Sequence, residues 1–137
     1  GRLRNPGDRP LVEKAFDEER KMSPRLSLAF ALVLLGRQEI TEHSPLQYLI
    51  NTLNSKSYRG VAQAFLVELT RDAGVRQSAQ AAVPKGTRDE KTMLAQILAR
   101  SGDKDTLPVL EALVQDSDPE VAQEGVRALR SLRARLP

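Results

Sequence analysis

The sequence predicts an all-α protein of about four antiparallel helical hairpins stacked into an α-α solenoid. Apolar residues recur at three- and four-residue spacing along most of the chain, and short polar breaks containing Pro, Gly, Ser or Asp interrupt that rhythm. The last unit also has fainter copies upstream. With 137 residues, 40% of them hydrophobic, the chain can build one domain with its own core. The opening "GRLRNPGD" reads as a linker or expression remnant over residues 1–7. Residues 8–137 then form one domain, with approximate repeats at 8–41, 45–72, 74–101 and 103–135.

The stretch "LVQDSDPEVAQEGV", residues 113 to 126, shows how one hairpin is written. Upstream, Leu107, Leu110, Leu113 and Val114 share one face of a helix that begins near Asp105 or Thr106. Asp118 then caps a new helix and Pro119 suits its first turn, where no amide partner is lost. In that helix Val121, Ala122, Gly125, Leu129, Leu132 and Leu136 face inward. Gly125 is expected to lie against the partner helix, where leucine would not fit and alanine would help through helix propensity.

Placing Leu49 on Val109 aligns "YLINTLNSKSYRGVAQAFLVEL" with "PVLEALVQDSDPEVAQEGVRAL". Leu49, Ile50 and Leu53 then match Val109, Leu110 and Leu113, and Val61, Ala62 and Gln63 match Val121, Ala122 and Gln123 identically. Between these units, "GVRQSAQAAVP" gives a shorter first helix, and "TRDEKTMLAQILARSG" a second with Leu94, Ile97 and Leu98 inward. At the front, Leu11, Val12, Ala15 and Phe16 mark a first helix. After a break at "MSP" follows a second, with Leu28, Ala31, Leu32 and Leu35 inward.

The segment "LPVLEALVQDSDPEVAQEGVRALRSL" resembles a HEAT repeat: a Leu-Pro start, an Asp-x-Asp-Pro turn, a following Val, and a small residue ahead of Ala-Leu in the second helix. Residues 45 to 71 keep the apolar skeleton without the Asp-Pro turn, and the first and third units keep mainly the second-helix pattern. The chain is similar to bacterial HEAT-repeat proteins, a group that includes phycobilisome lyase-like sequences. That resemblance implies a right-handed, armadillo-like superhelix acting as a protein-binding scaffold, with second helices lining the concave side. Lyase chemistry has no counterpart in the residues.

Catalytic and metal chemistry find little material here. There is no cysteine, and the one histidine, His43, cannot form a His pair for zinc or complete a cysteine-based triad. Asp103 with Asp105, and Asp116 with Asp118, lack the glycine and terminal glutamate of a calcium loop and are better explained as helix caps. "PKGT", residues 84 to 87, lacks the first glycine of a P-loop and reads as a turn, while "FDEERK", Phe16 to Lys21, reads as a solvated charged strip. "LSLAFALVLLG" is too short to span a bilayer. No enzyme activity, cofactor or metal is expected of this chain.

The functional expectation is therefore a protein partner. The apparent alignment puts Phe30, Val67, Gln96 and Arg127 at equivalent outward positions of successive second helices. Phe30, Val33 and Leu34 stand where Arg127, Arg130 and Ser131 stand in the last unit, which makes the first unit's second helix apolar nearly all round. Two other readings compete. Arg127, Arg130, Arg133 and Arg135 could attract nucleic acid, although the net charge is only +3 and there is no Trp for base stacking. The chain could also be a fragment of a larger enzyme or enzyme subunit.

Overall fold

The computed structural model describes residues 9–18 and 21–137; the expected linker at 1–7, and Glu19 and Arg20 of the charged strip, lie outside them. Among the described residues there are eight α-helices and no strand: α1 (Arg9–Glu18), α2 (Met22–Leu34), α3 (Pro45–Thr52), α4 (Arg59–Leu69), α5 (Ala73–Ala82), α6 (Arg88–Ser101), α7 (Leu107–Val114) and α8 (Pro119–Arg135). The all-α class is as the periodicity predicts. No helix among the described residues is long and apolar enough to cross a membrane.

Local chemistry sets the helix ends. Ser44, Asp72 and Asp118 accept amide hydrogens of the first turns of α3, α5 and α8, and Pro45 and Pro119 occupy first-turn positions. Thr87 and Glu90 form a reciprocal capping box on α6, so "PKGT" is the turn that starts this helix. Gly36, at φ 112°, closes α2: its amide donates to Val33 O and that of Arg37 to Leu32 O, a Schellman arrangement that favours glycine. A 3-10 turn at Lys104–Thr106 precedes α7.

Packing then runs from unit to unit. α1 packs on α2, α3 on α4 and α7 on α8, while α5 leads through a 3-10 turn, Val83–Lys85, that packs on α6. Each second helix also packs on the next: α2 on α4, α4 on α6, α6 on α8. Leu26, Leu32, Leu49, Ile50, Leu66, Leu94, Ile97, Leu98 and Leu110 are fully buried members of one apolar cluster running through these interfaces.

Two inward assignments need correction. In α1, Val12 and Phe16 are buried on an i, i+4 stripe, whereas Leu11, one residue off the stripe, is exposed. In α4, Val61 is 46% exposed although Val121, its identical match in α8, is 1% exposed. Ala62, Leu66 and Leu69 hold the buried stripe of α4, as Val121, Gly125 and Ala128 do in α8. The two helices start at matched positions, Arg59 and Pro119, but the buried stripe of α4 is displaced by one residue from the sequence match.

Polar ties join neighbouring units. Thr70 Oγ1 and Ser101 Oγ share a buried 2.6 Å hydrogen bond. Arg76 enters the interior from α5, where Nε and Nη2 donate to Asp105 at 3.1 and 3.2 Å and Nη1 donates to Thr70 O at 3.1 Å. Thr106 Oγ1 donates to Gln80 Oε1 at 2.6 Å. Lys91 pairs with Asp116 at 2.8 Å and Arg88 with Asp118 at 2.9 Å, which fastens the "DSDP" turn to the start of α6.

Candidate partner-binding face

The expected outward positions on the second helices do not share one surface. Val33 is 2% exposed and Val67 is 8% exposed, so both belong to the core, which corrects the sequence reading. The reason is the number of neighbours: α2 touches α1, α3 and α4, and α4 lies between α2 and α6. Phe30 is half-buried, its ring 4.6 Å from that of Phe65 on α4 and tilted by 35°. Leu34 borders a notch of about 230 Å³ with Gln38, Glu68, Leu69 and Asp72.

The polar members separate as well. Gln96 is half-buried and accepts a 3.1 Å hydrogen bond from Gln63 Nε2, linking α4 to α6 across the second-helix surface. Arg127 is exposed and paired with Glu124 at 3.6 Å. Arg130 faces a different depression of about 300 Å³, beside Val114, Val126, Leu129 and Arg133. Arg133 pairs with Glu111 at 3.7 Å, and Arg135 turns back to donate to Gly102 O at 2.6 Å.

What the structure does bring together is Gln96 and Arg127. They line a shallow groove of about 210 Å³ between α6 and α8 with Ala99, Arg100, Glu124, Ala128 and Ser131. Ala99 and Ala128 are buried, so small side chains floor the groove while amide, hydroxyl and charged groups form its walls. Such a surface can align an extended chain through hydrogen bonds and fit small apolar groups to its floor. It is built from two consecutive second helices in direct contact, so its shape is set by core packing.

The four aspartates singled out above have structural duties. Asp103 accepts the Lys104 amide at 2.8 Å, and Asp118 accepts that of Glu120 at 2.9 Å. Asp116 accepts the Asp118 amide and the Lys91 ammonium, which hold its carboxyl below the usual range, the Lys91 hydrogen bond foremost. Asp105 is not a cap: hydrogen bonds from Arg76 lower its carboxyl most. Among the described residues no group of three or more His, Cys, Asp and Glu side chains is placed to hold a metal ion.

The sequence reading missed Arg76, Gln80 and Arg100. The first two carried a signal: on a helical wheel they fall with Val75, Ala79 and Val83 on the apolar face of α5, where a charged residue needs a partner. That partner, Asp105, is remote in sequence, and Arg100 carried no signal in its own helix. No protein-family model, curated protein or solved structure matches this chain.

Proposed function

We propose that the chain is a HEAT-like α-α solenoid, a right-handed superhelix of about four hairpins, that works as a non-catalytic scaffold and binds a protein partner along its second helices. The groove between α6 and α8 is the seat of binding. The supporting observation is that two directly packed second helices leave a groove with a small-residue floor and unburied polar walls. Arrays of this kind use the surface of successive equivalent helices as a preformed platform, which keeps the ordering cost of binding low.

Photo-crosslinking tests the reading. A photoreactive residue at Ser131, on the groove wall, should trap a discrete protein, and one at exposed Lys56 in the α3–α4 connection should not. Equal trapping from both positions, or a Ser131 adduct removed by nuclease and not by protease, would refute it.

A further inference from the structure

Beyond the groove, at the C-terminal ends of the second helices, lies a crevice of about 540 Å³ whose lining includes Arg71, Arg76, Arg100, Asp103 and Arg135. We propose that this crevice is an oxyanion seat, and that the segment bound in the groove is an acidic peptide with one or more carboxylates held there. The proposal rests on the scaffold reading above and specifies the chemistry of the partner.

Three of the four arginines follow the last turns of consecutive second helices: Arg71 just past α4, Arg100 in α6 and Arg135 in α8. Cations at helix C-termini are favoured by the helix dipole, and that explains their general placement. It does not explain what Arg100 does. Arg76 is committed to Asp105 and Thr70 O, and Arg135 to Gly102 O at 2.6 Å and Ala99 O at 3.3 Å. Arg100 is exposed and has no ion-pair or hydrogen-bond partner among the described residues. The Arg135 bonds engage Nε and Nη2 and not Nη1. The crevice therefore combines guanidiniums fixed by the protein with one whose donors are uncommitted, and a guanidinium fork is well shaped for carboxylate.

Of the side chains at the crevice, four guanidiniums meet three carboxylates: Asp103 in the lining, Asp105 on Arg76, and Glu68 on Arg71 at 3.1 Å; Leu136 and Pro137 complete the lining. The Arg71–Glu68 pair is exposed on both sides, and such pairs hold weakly, so an incoming carboxylate can compete for Arg71. Arg100 also lines the α6–α8 groove. A chain lying in that groove is thereby led to the crevice by a residue the two share.

The experiment is a fluorescence-anisotropy titration with a labelled oligoglutamate peptide, its oligoglutamine counterpart and a single-stranded oligonucleotide of equal charge. Arg100→Glu and Arg71→Glu are made at exposed positions, so folding should persist and is checked by circular dichroism. Arg130→Glu, in the separate depression on α8, is the control. The glutamate peptide should bind and the glutamine peptide should not, each crevice variant should weaken binding about tenfold or more, and the control should stay within about twofold. Equal binding of the glutamine peptide, equal loss in Arg130→Glu, or tighter binding of the oligonucleotide would overturn the proposal. If Ser131 traps a protein but the glutamate peptide does not bind, the scaffold reading stands and the acidic-peptide proposal fails. If the peptide binds through Arg100 while Ser131 traps nothing, the crevice stands as an oxyanion seat and the groove reading is lost.

Discussion

Gly125 is the most demanding test of the α7–α8 packing. A methyl added to its Cα would lie 2.9 Å from Val114 N, and 3.0 Å from both the carbonyl carbon and the Cβ of Leu113. Two of these are backbone atoms of α7, which cannot swing aside as the tip of a side chain can. Replacing helical glycine with alanine ordinarily gains about 1 kcal/mol, and overpacking a closed contact ordinarily costs about 1–3 kcal/mol. The expected balance for Gly125→Ala is thus a net loss of up to about 2 kcal/mol, opposite to the gain that helix propensity alone suggests. Gly60 in α4 is the matched control. A Cβ there meets nothing within 4 Å, so Gly60→Ala should stabilise, by somewhat less than about 1 kcal/mol because the site is in the first turn. Urea unfolding of both variants, with the slope m compared against wild type, separates stability from denatured-state effects. A Gly125→Ala variant more stable than wild type by about 0.5 kcal/mol or more would show that α7 and α8 do not approach this closely.

Three further outcomes follow from the same contacts. Phe30→Asp puts a charge against Phe65, so the melting point should fall, with a loss of about 2 kcal/mol or more; an unchanged melt would restore Phe30 as an open binding position. Asp118→Ala should cost about 0.5–2 kcal/mol through the lost cap, and calcium should not move the melting point of either protein; a calcium-dependent rise would make the aspartates ligands. Asp105→Asn leaves buried Arg76 without its counter-ion and should cost about 1–3 kcal/mol at neutral pH, less than for a wholly buried pair because Asp105 is partly exposed. Because folding lowers the Asp105 carboxyl, its contribution is complete above the ordinary carboxylate value near 3.8 and is lost as pH falls through the lower folded value. Acid titration of stability should therefore be steeper in wild type than in Asp105→Asn, and parallel curves would refute the linkage.

Helix positions and most buried faces were legible because each depends on a helix's own periodicity and caps. Leu49, Ile50, Leu53, Leu110 and Leu113 show their burial in their spacing, and Asp118 with Pro119 shows a helix start in two residues. The register of α4 was not legible by matching. Three identical residues align Val61 with Val121, and the helix starts after Tyr58 and Asp118 agree with that match, yet the buried stripe of α4 is one residue displaced from that of α8.

The surface was harder to read than the core because exposure belongs to a helix's neighbours and not to its pattern. Transferring outward positions from α8 to α2 and α4 assumed equal surroundings. α8 meets α6 and α7, while α2 meets α1, α3 and α4, so a position open on the last helix becomes Val33 inside the core of the first unit. The apolar excess on α2 is thus accounted for by packing, and no partner is needed to explain it. Surplus polarity carries the opposite inference. Arg76 is buried and finds Asp105, so its charge is explained within the fold; Arg100 is exposed, uncommitted and shared by two concavities, so its charge is not. Arg130 too is exposed with no ion-pair or hydrogen-bond partner among the described residues, so it is the position of Arg100 on two adjoining concavities, and not its lack of a partner, that sets it apart.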